Sequence, residues 1–240
     1  MPAPATQASD PLEQWLASPF GRFLLRSEQI ALEAGLEDVF GNQIVQVGHW
    51  GPPNAFLPLA RLPRRGLIAD PGYPGNCVSH AASLAIMSQS VDAVLLPHTL
   101  EFEPEPHEVL REVERVLTGE GHVLILGFEP AGLWAARHRL TRGGFPPGLR
   151  RLLSPWRLRD WLRLLGFDVL QTRRFLQTPP LQSLAAGPIA RALESLGERL
   201  EGRFGSVYLV KAKKRVYTLT PIRPRRGRNR VLAGAVVEGV

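Results

Sequence analysis

The chain has 240 residues, 44% of them hydrophobic and 21% charged, a composition ordinary for a soluble globular protein with a full core. No apolar run approaches the roughly 20 residues that span a bilayer. The N-terminus lacks the basic and apolar segments of a secretory signal. Cys77 is a single cysteine, which excludes an internal disulfide and a cysteine metal cluster, and we predict no metal site. These features predict a cytoplasmic protein.

The positive charge is concentrated at the C-terminus. The formal net charge is +7, yet residues 211–240 hold nine Lys and Arg against one acid, Glu238. Residues 221–230 (PIRPRRGRNR) have the composition of a disordered segment. We therefore predict a domain over residues 1–212 and a basic, disordered tail over residues 213–240. The tail would contact nucleic acid nonspecifically through phosphates, and a solubility or membrane-surface role is the alternative.

Local patterns predict strands and helices in alternation. Apolar residues at helical spacing indicate one or two N-terminal helices within residues 1–41. The apolar runs that predict strands are Gln43–Val47, Gly66–Ala69, Cys77–His80, Val91–Leu96, His122–Leu126, Phe167–Phe175 and Ser206–Val210. This alternation favours an α/β protein with a Rossmann-like, doubly wound sheet flanked by helices.

The helices that follow the fourth strand have recognisable ends. One begins at Pro106 and is expected to end at Gly119 and Gly121. Another is predicted over Pro155–Leu165, where Ser154 can cap it, and a third over Ile189–Leu200. Between the fifth strand and the Pro155 helix, residues 128–153 form a proline- and glycine-rich insertion that could cover an acceptor site.

The segment from Asp92 to Pro130 carries a family resemblance. Its strand, HxLE motif, acidic-proline loop, LxExxRVLxxG helix and second strand resemble the class I S-adenosylmethionine-dependent methyltransferases, type 11 group. The matching residues are Asp92, His98, Leu100, Glu101, Leu110, Glu112, Arg115, Val116, Leu117 and Gly121. The resemblance implies seven strands with the last antiparallel, S-adenosylmethionine as the cofactor, and methyl transfer as the activity.

The loop after the first strand is the expected cofactor loop. Gly48, His49, Trp50 and Gly51 stand where the family has a glycine-rich loop that approaches the methionine and ribose of the cofactor. Trp50 takes a place usually held by glycine, and Gln46 replaces the acid common before the loop. An ordinary strand-to-helix turn explains the two glycines equally well.

Further cofactor contacts are expected after the second, third and fourth strands. Asp70 could accept hydrogen bonds from the ribose hydroxyls, although an Asp-Pro-Gly turn also explains it. His80 and Ala81 occupy the place where the family often has an acid for the adenine amino group. Pro97 and His98 follow the fourth strand and would face the cofactor.

His98 is the candidate catalytic residue. It could position an acceptor or take its proton, because imidazole titrates near neutral pH; a simple hydrogen bond within the loop is the alternative. Glu101, Glu103 and Glu105 are expected in a solvated loop rather than a metal site.

The insertion supplies the candidate substrate-binding residues Trp134, Arg137 and His138. Its arginines suit an anionic acceptor such as a phosphate or carboxylate, and a solvated helix-loop-helix is the alternative. Two functions remain open: an S-adenosylmethionine-dependent methyltransferase, or a catalytically inactive methyltransferase-like binding protein. The second follows from Trp50, Pro52 and Gln46 and from the missing acid near His80. A Trp50 side chain inside the cofactor cavity would favour it.

Overall fold

A computed structural model of the chain describes residues 10–140, 145–176 and 205–216. Within them the strands are β1 (Gln43–Val47), β2 (Arg64–Ala69), β3 (Cys77–Val78), β4 (Val91–Pro97), β5 (Leu117–Phe128), β6 (Phe167–Phe175) and β7 (Val207–Lys214). The predicted helix over Ile189–Leu200 and the tail from residue 217 lie outside the described residues.

The seven strands form one sheet in the order β3-β2-β1-β4-β5-β7-β6. Strands β1 to β5 pair in parallel, whereas β7 runs antiparallel to both of its neighbours, β5 and β6. The predicted doubly wound sheet with an antiparallel last strand is confirmed. The strand order reverses between β1 and β4, and an open α/β sheet places its ligands beside such a switch, outside the carboxyl ends of the strands.

The helices begin where the sequence places capping residues. They are α1 (Pro11–Leu16), α2 (Pro19–Leu36), α3 (Thr99–Phe102), α4 (Pro106–Val116), α5 (Leu133–Leu140) and α6 (Pro155–Leu164). Ser154 caps α6 as predicted, and Asp10 and Ser18 accept a hydrogen bond from the first turns of α1 and α2. Each of these three helices has proline at its first position, where the missing N–H has no helical partner.

Helices cover both faces of the sheet, which is why its central strands are apolar on both sides. On one face, α1 and α2 pack with Ile44, Leu95 and Leu124. On the other, α4 and α6 pack with the alternate strand residues, among them Val45 and Val94. No helix among the described residues is long and apolar enough to cross a membrane. These residues also contain no cluster of His, Cys, Asp and Glu that could hold a metal ion.

Several predicted boundaries differ from those of the structure, notably the end of α4 and the end of β7. Helix α4 ends at Val116, and Gly119 and Gly121 lie inside β5, because Leu117 is already extended and pairs with Val91. Strand β7 continues to Lys214, beyond the predicted start of the tail at residue 213. Its lysines have partners: Lys211, Lys213 and Lys214 form ion pairs with Asp38, Glu120 and Glu114, respectively. The first basic residues of the predicted tail therefore belong to the sheet.

Candidate functional site

A small cleft lies at the carboxyl ends of β1, β2 and β4, beside the switch in strand order. Its volume is about 120 Å³. The described residues that line it are Leu12, Gly48, His49, Asp70, Tyr73, Pro97, Thr99, Phe102 and Glu103. Five of them, Gly48, His49, Asp70, Pro97 and Thr99, follow a parallel strand or end it. The position is the one that the fold predicts for a ligand.

Gly48 brings the loop after β1 against the loop after β4. Its φ is +94°, and a Cβ atom there would lie 2.7 Å from Thr99 Oγ1. Thr99 Oγ1 donates to the carbonyl of Val47 at 2.6 Å, which holds the two loops together. A side chain at position 48 would therefore strain the backbone and separate the loops. The glycine is required by this packing, whether or not a ligand is bound.

Trp50 points away from the cleft. Its side chain is buried in the core, and its Nε1 donates to Glu28 Oε2 at 2.8 Å. Trp50, one of the predicted cofactor-binding residues, therefore does not line the cleft. The Trp50 side chain also does not fill the cleft. A Trp50 side chain inside the cavity would have favoured an inactive protein, and the structure does not place it there. Gly51 has φ +73° and packs against Leu25, where it lets the chain turn back to α2.

Asp70 lies on the cleft wall at the end of β2, as predicted. Its Oδ1 is 3.1 Å from Nδ1 of His80, whose side chain is 74% exposed. His80 contacts Asp70 without lining the cleft, and Ala81 is buried in the core under the other face of the sheet. Of the residues expected after β2 and β3, only Asp70 offers a side chain to the cleft.

His49 and Tyr73 form the side of the cleft that we call the roof, and both bond to residues of α1 or its cap. His49 Nε2 lies 2.9 Å from Glu13 Oε1, and the imidazole stacks on the ring of Tyr73 with 4.5 Å between centroids. Tyr73 donates to Asp10 Oδ2 at 2.5 Å. This hydrogen bond, burial and the nearby acids raise the pKa of Tyr73 to about 12. Asp10, Glu13 and Tyr73 were not predicted; the only signal was the place of Tyr73 shortly after Asp70.

His98 lies behind the cleft in a buried polar cluster. Its φ is +58°, and its Nε2 and Nδ1 each lie 2.8 Å from a carboxylate oxygen, of Glu28 and Glu101 respectively. Burial alone would lower its pKa, but the two carboxylates raise it to about 9. His98 is therefore an imidazolium near neutral pH, with both N–H groups donating and no lone pair left to accept a proton. The predicted role as a base does not fit this arrangement.

The Glu28–His98–Glu101 cluster joins four parts of the fold. Glu28 lies on α2, His98 and Glu101 follow β4, and Glu101 Oε1 accepts from the backbone N–H of Phe128 at the end of β5 at 2.9 Å. Trp50 adds the loop after β1. Glu101 was expected in a solvated loop, yet it is 1% exposed, and burial raises its pKa. The prediction missed Glu28, whose only signal is an acid on the apolar stripe of α2.

The three candidate substrate-binding residues pack away from the cleft. Trp134 is 1% exposed and stacks on Phe20 and Phe128, with centroids 4.7 and 5.5 Å apart. The guanidinium of Arg137 lies 4.1 Å from the centroid of Phe145, and His138 Nδ1 accepts from the backbone N–H of the same residue at 3.1 Å. The insertion thus completes an aromatic core against α2, and these side chains do not line the cleft.

Comparisons with known proteins agree with this fold. Residues 61–125, which run from the start of β2 into β5, match a family described as a methyltransferase domain, type 11. An S-adenosylmethionine-dependent methyltransferase structure from Thermotoga maritima superposes with a TM-score of 0.58 and 17% identity, over 85% of this chain and 94% of that one. At that identity the likeness shows the fold.

Two relatives match over most of the chain. The uncharacterized protein YafS of Escherichia coli is 27% identical over 166 residues, 69% of either chain. The uncharacterized protein Rv2003c of Mycobacterium tuberculosis is 32% identical over 190 residues, 75% of this chain and 66% of that one. The chain thus spans about two thirds of the length of these relatives, whose names assign no activity.

The fold is that of class I methyltransferases, as the likeness to the Thermotoga maritima structure shows. Residues 61–125 add the match to a methyltransferase domain. S-adenosylmethionine is the cofactor that this domain implies. The residues present fit it in kind, since Gly48 lines the cleft without a side chain, Asp70 offers a carboxylate, and Nδ1 of His49 has no hydrogen-bond partner among the described residues.

Proposed function

We propose that the chain binds S-adenosylmethionine in this cleft and transfers its methyl group to an acceptor. The observation that supports this most is the convergence of Gly48, Asp70 and Pro97 from three neighbouring strands at the switch in strand order. The other predicted lining residues contribute unequally. His49 faces the cleft, whereas Trp50, Ala81 and His98 act through packing and hydrogen bonds behind it.

The loop after β1 and Asp70 would hold different parts of the cofactor. The loop Gly48–Gly51 would approach the methionine portion with its backbone, and the carboxylate of Asp70 would accept hydrogen bonds from the ribose hydroxyls. When bound, the cofactor supplies an activated methyl group on a sulfonium. The protein has to align the acceptor and exclude water, so no nucleophile or metal is required of the chain.

The cleft must widen to admit the cofactor. Its volume of about 120 Å³ is below the roughly 300 Å³ at which small-molecule pockets begin. The removable part of the wall is α1, because Leu12 lines the cleft and the acids of this segment bond to His49 and Tyr73. Displacement of residues 10–16 would open the cleft and leave the strand pairing intact, but it would expose Leu16 and break the ring contacts of Trp15.

Calorimetric titration with S-adenosylmethionine and with S-adenosylhomocysteine tests the proposal. Asp70→Asn should weaken both ligands about tenfold, since a hydrogen bond to a charged group contributes roughly 1.5–3 kcal/mol. The matched control is Asp160→Asn, an exposed acid on α6 outside the cleft. If the wild-type protein binds neither ligand at millimolar concentration, the proposed function is wrong.

A binding protein without transferase activity is the second candidate. Trp50 and Gln46 favour it, because they replace a glycine and an acid that the family commonly has around the cofactor loop. Methyl incorporation separates the two: a protein that binds S-adenosylmethionine yet releases no S-adenosylhomocysteine with any acceptor class is a binding protein.

Nucleic-acid contact through the C-terminal segment stays a prediction, as does the cytoplasmic location. Residues 217–240 contain five arginines and one acid, and phosphate contacts made by such a segment would weaken steeply with salt. Truncation after Val216 keeps β7 intact and is the appropriate test. If RNA affinity is unchanged in the truncated protein, the segment has no such role.

A further inference from the structure

The charged side chains of the cleft wall are acids. Asp70 and Glu103 line the cleft, and no Lys or Arg does so among the described residues. Asp10 and Glu13 add two carboxylates through their bonds to Tyr73 and His49. The raised pKa of Tyr73 reflects the same surroundings, because Asp10, Glu13 and Asp70 all oppose a further negative charge there. The cleft is thus negative in a chain whose net charge is +7.

Glu103 is the acid of this group that lacks a partner among the described residues. It ends the short helix α3, its side chain is partly buried, and within that part of the chain it accepts no hydrogen bond and forms no ion pair. Burial and the charge of Asp70 raise the pKa of Glu103, while His80 and Arg150 act in the opposite direction. A partly desolvated carboxylate without a partner is stabilised by a cation brought to it.

Two neighbours of Glu103 complete a site for an organic cation. The ring of Phe102 lines the same cleft, and an aromatic face attracts an ammonium group. His49 lines the same cleft, its side chain is 8% exposed, and its Nδ1 has no hydrogen-bond partner among the described residues. An unpartnered buried nitrogen indicates that a polar group of a ligand belongs beside it.

The arginines once expected to bind an anionic acceptor are used elsewhere. Arg137 packs on Phe145, and Arg139 and Arg151 donate to the carbonyls of Pro130 and Pro104. Arg150 is exposed and lies near Glu103 without forming an ion pair with it. An anion in the cleft would meet at least two carboxylates and, among the described residues, no guanidinium on its wall.

We propose that the acceptor of this protein is an amine that binds as an ammonium group between the Glu103 carboxylate and the Phe102 ring, gives one N–H proton to that carboxylate, and as the neutral amine displaces S-adenosylhomocysteine from the methyl group. This inference rests on the proposed function for the methyl donor, and it concerns the acceptor end of the same cleft. The proposed acceptor is a cation, whereas the sequence favoured an anion such as a phosphate or carboxylate. Because the site is open to solvent on one side, the affinity for the ammonium group should fall as ionic strength rises.

A matched pair of probes tests the charge preference. n-Butylammonium and butyrate have the same chain length and opposite charge, and each can be titrated by NMR into the free protein and into protein loaded with S-adenosylhomocysteine. n-Butylammonium should bind, and butyrate should bind at least about tenfold more weakly. Equal binding of the two probes, or stronger binding of butyrate, overturns the proposal.

Three variants localise the effect. Glu103→Gln should weaken n-butylammonium about tenfold, and Glu103→Asp should restore most of the affinity. Glu105→Gln is the matched control, because Glu105 is exposed on the same loop and does not line the cleft. If Glu103→Gln and Glu105→Gln behave alike, the site is not at Glu103.

The measurements separate the two proposals. Failure of S-adenosylmethionine and S-adenosylhomocysteine to bind would contradict the proposed function, while titration of the free protein would still report the charge preference. Normal binding of both cofactor forms with no preference for n-butylammonium would contradict the acceptor class alone. Unfolding curves for each variant identify any loss of affinity that arises from misfolding.

Discussion

The loops after β1 and β4 meet at the carboxyl edge of the sheet, and each contains a histidine. The two histidines differ in their surroundings. His49, after β1, lies at the cleft and bonds to Glu13 on its outer side. His98, after β4, lies between Glu28 and Glu101 with no exposed surface. Both are histidine–carboxylate contacts at about 2.8–2.9 Å. Burial makes the difference: the His98 contacts are fully buried and hold the fold together, whereas the His49 contact is to Glu13, whose side chain is 45% exposed.

The contacts of the two histidines also indicate which side of the cleft is fixed and which side can open. The His98 cluster ties α2 to the loops after β1 and β4 and to the end of β5, so the rear wall of the cleft is fixed. The roof consists of two contacts to the short helix α1 and its cap. A rigid wall and a removable roof suit a site that must admit a ligand larger than its present volume.

Loss of Glu28 should have the largest effect. Glu28→Ala leaves the Trp50 N–H and one imidazolium N–H of His98 buried without partners. Breaking a buried ion pair costs about 3–5 kcal/mol, so we expect a loss of stability of that order in urea unfolding. Glu33→Ala, an exposed acid on the same helix, is the control and should change little. A loss below about 1 kcal/mol would mean that the cluster is not the structural tie described.

The pH dependence of stability should distinguish the buried histidine. The folded pKa of His98 is raised from 6.5 to about 9, so its contribution is fully present below pH 6.5 and is lost as pH rises through 9. The loss should be on the order of 3 kcal/mol. The pKa of His122 is lowered, mainly by burial, and its contribution therefore changes in the opposite sense, growing as pH rises towards 6.5.

The His98→Gln variant isolates this contribution. Urea unfolding of the variant and of the wild-type protein, measured in parallel between pH 6 and 9, should show the decline in the wild type alone. Parallel curves for the two proteins would indicate that His98 is neutral in the folded state.

The smallest effect is expected for loss of the Tyr73–Asp10 hydrogen bond at the roof of the cleft. Tyr73→Phe removes the hydrogen bond to Asp10, a contact at the protein surface that should contribute about 1 kcal/mol to closure. S-adenosylhomocysteine should therefore associate several times faster with the variant, as measured by stopped-flow tryptophan fluorescence. Glu33→Gln serves as the control for a change of surface charge. An unchanged association rate would show that α1 does not limit access to the cleft.

Much of the fold was predictable because it depends on local pattern. The bounds of β1 and β6 and the Ser154 cap of α6 agree with the predicted ones, since apolar runs and capping residues act over a few positions. The end of α4 was misjudged because glycine permits a strand interior as well as a helix end. There, pairing of Leu117 with Val91 decided the outcome.

The site was predictable only at its backbone positions. Gly48, Asp70 and Pro97 line the cleft because their places at strand ends follow from the sheet. The directions of side chains did not follow: Trp50 turns into the core because Glu28, 22 residues earlier, offers its indole a buried acceptor. His98 and Glu28 are 70 residues apart, so no local pattern could have paired them.

The sequence by itself thus determined the class of fold, the order of its elements and the strand ends at which a ligand belongs, because hydrophobic periodicity and turn chemistry are local. Only the tertiary structure decided which acids meet which histidines. Contacts between distant segments depend on how α1 and α2 pack over the sheet, and burial then sets the charge of each group. For this reason His98 is a protonated structural residue, whereas Glu103, at the end of α3, lies on the wall of the cleft.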